Sequence, residues 1–216
     1  MKLEIQTAVL FDMDGVVLDT ESQYSVFWDK TGREALGIEH FDSLIKGTTN
    51  TQIGEKYFQG REEEFARIVE ANRAWEAEMT YNYFPGVVDF INDLRANGVK
   101  LALVTSSDEA KMACVYRAHP EMKELFDLIL SAGSFTRSKP HPECFLLAMK
   151  QLNVTSANSF VIEDSFHGLA AGRASGATVI GMATTNSREG IEDKADYVLD
   201  SFLGMTYQKL ISLHNI

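Results

Sequence analysis

Two aspartates that follow a short apolar run form the first pattern in the chain that suits catalysis. The run Ala8–Phe11 is bulky enough to be a buried strand, and Asp12 and Asp14 come directly after it. Residues two apart in an extended chain point to the same face, so both carboxylates leave the strand end together, and Gly15 lets the backbone turn there. Two like charges about 4 Å apart repel by roughly 4 kcal/mol at an effective dielectric constant of about 20, so the pair requires a cation, a shared proton or both. Taken alone, the two aspartates are equally well explained as turn formers.

Three further polar clusters lie downstream of the two aspartates. Thr105 follows a predicted strand, Lys139 stands before a proline, and Glu163 and Asp164 end another predicted strand. Each cluster has a structural interpretation: a strand-terminal β-branched residue, a solvated loop lysine, and acids that cap a helix, although Ser165 could cap that helix as well. For Thr105 and for Lys139, each taken alone, the structural interpretation is the favoured one.

The secondary-structure pattern places these clusters along one edge of a sheet. Short apolar runs predict strands at residues 8–11, 99–104, 127–130, 159–162 and 177–181, with 196–199 as a candidate sixth. Helical segments alternate with them, which is typical of an α/β fold with a Rossmann-like, doubly wound parallel sheet covered on both faces. Ligands of such sheets bind beyond the carboxyl ends of the strands, where the clusters of the first, second and fourth strands lie.

Residues 18–84 predict a wholly helical insertion after the first strand. The clearest helix covers residues 61–80, whose acidic start suits a helix N-terminus. Its apolar residues are spaced to share one face, and they are Phe65, Ile68, Val69, Trp75 and Met79. We therefore expect a Rossmann-like catalytic core from residues 1–17 and 85–216, and an all-α cap from residues 18–84 over the edge that carries the polar clusters.

The amino-acid composition argues against some classes of binding partner and favours one cellular compartment. The chain has 216 residues, of which 45% are hydrophobic, and a formal net charge of −11, which argues against nucleic acid or an anionic membrane as the main partner. No run approaches the roughly 20 apolar residues of a membrane span. The first residues contain Glu4 and no small-residue cleavage site, so they predict a strand rather than a signal peptide. Two cysteines fit reduced thiols, and we expect a cytoplasmic protein.

Four motifs, taken together and in order, resemble those of the haloacid dehalogenase superfamily of phosphohydrolases. They read DMDGVVLDT, LALVTSS, SKPHPECF and VIEDSFHGLAAGRASGA. The resemblance is strongest to the branch with a helical cap after the first strand, which includes β-phosphoglucomutase-like phosphatases and mutases. One such motif is weak evidence, but all four in family order on the expected elements are specific, and they extend over nearly the whole chain.

The resemblance implies a role for each cluster. Asp12 would be the nucleophile that forms an aspartyl-phosphate, and Asp14 would be the general acid for the leaving oxygen and then the base for water. Thr105 would donate its hydroxyl to a phosphate oxygen, and Lys139 would neutralise nucleophile and phosphate. The substrate would be bound by Ser106 and by the cap residues Tyr24, Thr48, Thr49 and Asn50, with Trp28 and Gln52 as further candidates.

A magnesium ion is the cofactor that the resemblance implies. The side chains of Asp12 and Asp164 and the backbone carbonyl of Asp14 would bind it, and Glu163 would act directly or through water. Hard oxygen ligands and retained waters are what Mg²⁺ prefers. The partner would be a small phosphorylated metabolite, and we expect a monomer or a weak dimer.

Two departures from the mutase pattern favour hydrolysis. The mutases carry a histidine shortly after the DT of the first motif, where this chain has Tyr24, and a phosphate-gripping arginine in the cap loop, where this chain has Asn50. A mutase must hold a second phosphate, and Lys46 is the nearby residue left for that task. We therefore expect a phosphatase, with a sugar phosphate as one candidate substrate and a sugar phosphomutase as the alternative. A phosphate-sensing or partner-binding module without turnover is the alternative from another class.

Overall fold

The centre of the molecule is a six-stranded parallel sheet, which the computed structural model describes together with its surroundings over residues 6–46 and 48–214. The spatial order is β3-β2-β1-β4-β5-β6, so the first and fourth strands are neighbours. The strands are β1 (Ala8–Phe11), β2 (Lys100–Val104), β3 (Leu128–Leu130), β4 (Ser159–Glu163), β5 (Thr178–Met182) and β6 (Tyr197–Leu199). The predicted Rossmann-like sheet is confirmed; the first five residues of the predicted N-terminal strand lie outside the described residues.

Helices follow the strands as predicted, and a separate group lies between β1 and β2. The helices of that group are α1 (Glu21–Thr31), extended by a π-helical turn at Gly32–Leu36, α2 (Phe41–Ile45), α3 (Asn50–Tyr57) and α4 (Glu62–Glu78). The later helices are α5 (Val87–Ala96), α6 (Glu109–Ala118), α7 (Met122–Leu125), α8 (Glu143–Leu152), α9 (Phe166–Ser175), α10 (Arg188–Ile191) and α11 (Tyr207–His214). Sequence analysis missed α7, α10 and α11, because one or two turns hold too few apolar positions for a helical period to stand out. No helix in the described ranges has both the length and the apolarity to cross a membrane.

The residues of β1 alternate between the two faces of the sheet. Ala8 and Leu10 belong to an apolar cluster with α8, whereas Val9 and Phe11 belong to one with α5 on the opposite face. All four side chains are fully buried. A parallel strand covered on both sides needs apolar residues at every position, which is why β1 reads as a continuous apolar run rather than as an alternating one.

The helices between β1 and β2 enclose an apolar core of their own. It consists of Trp28, Phe41, Ile45, Ile53 and Phe58. The two connections to the sheet run side by side: Leu18 and Tyr83 form an antiparallel bridge, and the amide of Phe84 donates to the Val17 carbonyl at 3.0 Å. Residues 79–84 are therefore not helical, and the expectation of a wholly helical segment 18–84 is wrong at its end. The separate core fits the predicted division into cap and core, whose exact boundaries stay a prediction.

The predicted apolar face of helix α4 is confirmed in part, because Phe65 and Ile68 pack against the apolar core of the cap and Met79 is buried. Trp75 is 39% exposed and packs on Phe27 at a ring-centroid distance of 6.0 Å, so it is the one residue of that predicted face that is exposed. The residues that α4 does bury are Asn72 and Glu76, which are 2% and 7% exposed. They face a polar cavity instead of an apolar neighbour, and an apolar period cannot reveal such a surface.

Candidate active site

Lys139 is the central cation at the carboxyl ends of β1, β2 and β4. Its Nζ lies 2.6 Å from Asp12 Oδ1 and 2.6 Å from Glu163 Oε1, and it donates to the Val104 carbonyl at 3.1 Å. Burial by itself would lower the pKa of Lys139, but the charges of Asp12 and Glu163 outweigh burial and raise that pKa. The side chain is therefore a buried ammonium group rather than the solvated loop lysine of the structural interpretation.

Three buried carboxylates, Asp12, Glu163 and Asp164, meet beside this ammonium group. Each offers an oxygen within 4.8 Å of the others. Burial raises the pKa of Asp12 and of Asp164, and the charge of Glu163 raises both further. One lysine among three carboxylates leaves negative charge that a divalent cation would neutralise, and the donors are the hard oxygens that Mg²⁺ prefers. The residues present therefore fit the magnesium ion that the motifs imply.

Gly15 is required where the β1 loop passes Asp164. Its φ is +76°, and a Cβ at this position would collide with the carboxylate of Asp164. Glycine alone among the residues adopts such a conformation at low cost and leaves room for the close approach. The glycine that sequence analysis assigned to a sharp turn thus also brings the two acidic motifs together.

Glu163 is held more tightly than the other two carboxylates. Its Oε2 accepts the backbone amides of Asp164 at 3.1 Å and Ser165 at 3.2 Å, as well as the Ser165 hydroxyl at 3.1 Å, while Oε1 accepts from Lys139. The side chain is fully buried, and a Cβ at Gly168 would collide with it. Glu163 therefore fixes Lys139 and the turn after β4, and this role adds to any contact with a metal.

We expect Gly168→Ala to lower the free energy of unfolding by about 1–3 kcal/mol, the usual cost of an extra methyl group in a well-packed interior. The methyl group would push Glu163 away from Lys139, so turnover should fall as well. Gly133→Ala is the matched control, because a Cβ at Gly133 meets nothing within 4 Å. Urea unfolding of both variants checks the prediction, and equal midpoints would contradict the placement of Glu163.

Asp14 sits among three donors that sequence analysis did not assign. Thr20 Oγ1 donates at 2.5 Å and Ser107 Oγ at 3.0 Å, and Lys111 Nζ forms an ion pair at 2.5 Å. Burial would raise the pKa of Asp14, but the charge of Lys111 and the three hydrogen bonds outweigh it and lower the pKa. One feature of the sequence could have identified Lys111. Asp108 is the N-cap of α6, so Lys111 lies in the first turn of a helix that begins at the carboxyl end of β2, where the polar clusters lie.

The side of the site formed by the end of β2 offers hydroxyl groups. Thr105 Oγ1 accepts the Ser107 amide at 3.0 Å, which leaves its own proton to donate to a bound group. Ser106 Oγ is buried and finds no hydrogen-bond partner within the described part of the chain. Both residues line the same cavity as Lys139, so the structure brings these predicted phosphate contacts together.

A cavity of about 360 Å³ lies between these groups and the cap. The predicted residues that line it are Asp12, Asp14, Thr105, Ser106, Lys139 and Asp164 from the core and Tyr24, Trp28, Thr48, Thr49 and Asn50 from the cap. Gln52 was predicted to line it and does not: its Oε1 accepts the Thr49 amide at 2.7 Å, and its Nε2 donates to the Lys139 carbonyl at 3.4 Å. Gln52 therefore caps α3 and ties it to the lysine loop. The prediction missed other residues that line the cavity, among them Glu21, Asn72, Arg73, Glu76, Ser107 and Lys111.

Tyr24 lies beside the cavity with its hydroxyl already engaged. The hydroxyl donates to Glu76 Oε1 at 2.7 Å, and Lys111 Nζ lies 4.4 Å from the centre of its ring. Burial, together with the charges of Asp14 and Glu76, raises the pKa of Tyr24, so the phenol stays neutral. Lys111 thus links Asp14 in the core to a tyrosine of the cap.

A profile of haloacid dehalogenase-like hydrolases matches residues 6–176. The chain belongs to this family. It is 30% identical to the bifunctional riboflavin kinase/FMN phosphatase of Arabidopsis thaliana over 95% of this chain but only 56% of that protein, so the chain spans little more than half of that relative. It is 28% identical to the putative phosphatase YhcW of Bacillus subtilis, over 94% of this chain and 96% of that protein. Among solved structures, the β-phosphoglucomutase of Clostridium difficile is similar with a TM-score of 0.81 and 27% identity, over 98% of each chain.

The family match confirms what the four motifs predicted. The chain is a haloacid dehalogenase-type enzyme, and the phosphatases among its relatives bear out the predicted class of phosphoric monoester hydrolase. The predicted α/β fold is confirmed as well, since the chain superposes on the β-phosphoglucomutase over 98% of each chain.

Proposed function

We propose that this hydrolase is a cytoplasmic, Mg²⁺-dependent phosphatase that cleaves a small phosphorylated metabolite through an aspartyl-phosphate on Asp12. The observation that carries the proposal is the pairing of two carboxylates in one cavity with different partners. Asp12 is held by Lys139 at 2.6 Å, whereas Asp14 is held separately by Lys111 at 2.5 Å. Two carboxylates kept in different environments suit a nucleophile and a proton carrier.

In the first step, an oxygen of Asp12 attacks phosphorus and the bond to the leaving oxygen breaks. Lys139, Thr105 and Ser106 bind the phosphate oxygens, and Asp14 gives its proton to the leaving alkoxide. Lys111 favours the carboxylate form of Asp14, so Asp14 must first take up a proton. A phosphomonoester with a second pKa of about 6 brings one in part of its population.

In the second step, water attacks the phosphorus of the aspartyl-phosphate and the bond to Asp12 breaks. Asp14, left as a carboxylate, accepts the proton of the water, which restores it for the next cycle. Its three donors hold it in the form that this step requires. Inorganic phosphate then leaves and Asp12 is regenerated.

The residues that would hold Mg²⁺ are Asp12, Asp164 and the backbone carbonyl of Asp14, with Glu163 in direct or water-mediated contact. When bound, the ion would neutralise the charge of the nucleophile and the phosphate so that two anions can approach. The three buried carboxylates beside a single lysine support this assignment.

A sugar phosphomutase is the second candidate, favoured by the similarity to a β-phosphoglucomutase. A mutase must grip a second phosphate from the cap, ideally with the fork of an arginine. Here Lys46 lines the cavity but directs its Nζ to the Thr185 carbonyl at 3.3 Å, and Asn50 carries no charge. Water should therefore compete well with a sugar hydroxyl.

We expect steady release of inorganic phosphate from sugar 6-phosphates with Mg²⁺ and without a bisphosphate activator. Interconversion of β-glucose 1-phosphate and glucose 6-phosphate should not be faster than this hydrolysis. Phosphorus NMR records both products in one reaction. Isomerised sugar phosphate that accumulates well ahead of free phosphate would favour the mutase, and phosphorylation of Asp12 without any turnover would favour a sensing module.

A further inference from the structure

The cap helix α4 places two buried polar side chains at the cavity. Asn72 and Glu76 are one turn apart, 2% and 7% exposed, and both line the cavity with Tyr24. A helix of a small cap domain ordinarily buries apolar residues, and Phe65 and Ile68 of α4 pack against the cap core, yet Trp75 is 39% exposed. Burial of polar groups is unfavourable unless they are hydrogen-bonded, so this face of α4 has a role beyond packing.

The hydrogen bonds among Tyr24, Asn72 and Glu76 leave one buried acceptor without a donor. Asn72 Nδ2 donates to Glu76 Oε1 at 3.0 Å, and the Tyr24 hydroxyl donates to the same oxygen at 2.7 Å. Asn72 Oδ1 is buried and has no hydrogen-bond partner within the described ranges. Exchanging the Oδ1 and Nδ2 positions of Asn72 would not remove this free acceptor without cost, because Oδ1 would then face Glu76 Oε1, another acceptor. The cluster thus offers Asn72 Oδ1, and beside it the second oxygen of Glu76, to a group that donates.

The basic residues that line the cavity away from the nucleophile already have partners. Lys111 forms its ion pair with Asp14 at 2.5 Å, and Lys46 donates to a backbone carbonyl at 3.3 Å. Arg73 lies 3.6 Å from Asp108 with its side chain 57% exposed. An anionic group placed against Asn72 Oδ1 and Glu76 would therefore meet oxygen acceptors rather than cations.

The acidic side chains of Glu21 and Glu76 strengthen the preference of this part of the cavity for hydrogen-bond donors over anions. Glu21 lines the same cavity as Glu76, and burial raises the pKa of Glu21 to about 7, with the charge of Asp14 as the next cause. Burial also raises the pKa of Glu76. Both side chains would gain from a donor that replaces lost water, and a second anion would be repelled.

We propose that Asn72 and Glu76 form a subsite for a hydrogen-bond donor, a hydroxyl or an ammonium group, on the alcohol part of the substrate. The inference rests on the proposed function, since it takes the phosphate to lie at Asp12. It assigns the substrate class as polyhydroxylated or amino-substituted phosphomonoesters. It excludes those that present a carboxylate or a second phosphate to Asn72 and Glu76.

The test compares two substrates of equal chain length, hexitol 6-phosphate and n-hexyl phosphate. The first carries hydroxyl groups along the chain and the second carries none, while the scissile group is the same primary phosphomonoester. We expect a kcat/KM for the hexitol ester about 100-fold higher, since each hydrogen bond to a buried acceptor is worth about tenfold. The carboxylate-bearing 6-phosphogluconate should be poorer than the hexitol ester.

Variants of the subsite should reduce this preference. Asn72→Leu and Glu76→Gln should each lower the ratio of the two kcat/KM values by about tenfold. A ratio is insensitive to a general loss of folded enzyme, which affects both substrates equally. Glu78→Gln makes the same chemical change on the exposed side of α4 and should keep the wild-type ratio.

A second pair of substrates, glucose 6-phosphate and glucosamine 6-phosphate, shows whether the donor is a hydroxyl or an ammonium group. The measurement is again kcat/KM for each ester. A preference of the wild type for the amine that Glu76→Gln abolishes identifies an ammonium group, and equal effects on both esters identify a hydroxyl. Equal hydrolysis of hexitol and hexyl esters, or a ratio unchanged in both variants, overturns the subsite and leaves the phosphatase proposal intact. No hydrolysis of any of these esters by the wild type overturns the proposed function, and the subsite with it.

Discussion

Asp12→Asn should reduce phosphate release at least about 1,000-fold, which corresponds to roughly 4 kcal/mol of barrier. An amide has no lone pair suited to attack phosphorus, and it cannot form the acyl-phosphate bond that the proposed route requires. The side chains have the same shape, and Lys139 keeps its contact with Glu163 at 2.6 Å, so the variant should fold. Steady-state release from an aryl phosphate measures the effect.

The control for this substitution is Asp19→Asn. Asp19 follows the same strand but is exposed, and the same chemical change there should leave turnover as it is. Mass spectrometry of acid-quenched wild-type enzyme during turnover should find the phosphoryl group on the peptide that contains Asp12. Residual activity of Asp12→Asn within tenfold of the wild type, or a phosphoryl group on another residue, would remove Asp12 from its role as nucleophile.

Asp164→Asn should abolish the response to Mg²⁺ without loss of the fold. The substitution removes a proposed ligand but also one of three buried carboxylates whose charges repel one another. In chelator, the variant should be more stable than the wild type by about 1–2 kcal/mol, as is common when a strained functional group is removed. Wild-type enzyme should gain thermal stability with added Mg²⁺, because the ion binds only the folded state, and its activity should disappear in chelator.

The matched variant is Glu163→Gln, an identical change one residue earlier. Glu163 accepts from Lys139, from two backbone amides and from the Ser165 hydroxyl. An amide nitrogen must face one of these donors, so we expect a loss of about 3–5 kcal/mol, typical for breaking a buried ion pair. Thermal melts of both variants with and without Mg²⁺ decide the matter. A normal Mg²⁺-induced rise in Tm for Asp164→Asn would show that Asp164 is not a ligand.

The parts of the site that the sequence predicted correctly are those that depend on residues close together in the chain. The apolar run of β1, the aspartates two apart and Gly15 lie within a few residues, so strand geometry and turn chemistry sufficed to place both carboxylates at one strand end. Thr105, Lys139 and Asp164 came from the order of the motifs along the chain. The alternation of strands and helices then implied a parallel sheet whose carboxyl ends bring those motifs to one edge, and the structure brings them there.

The tertiary structure decided which polar groups face one another, because an apolar period reports only whether a position is covered. It placed Lys111 and Ser107 on Asp14 and gave Glu163 its part in holding Lys139, through contacts between residues 24 to 97 positions apart. It also left Trp75, predicted on the apolar face of α4, 39% exposed, and it buried Asn72 and Glu76, for which the spacing of apolar residues gave no prediction. The physical reason is that the cap lies over a polar cavity, and a helix facing such a cavity buries hydrogen-bonding groups that local sequence cannot distinguish from exposed ones.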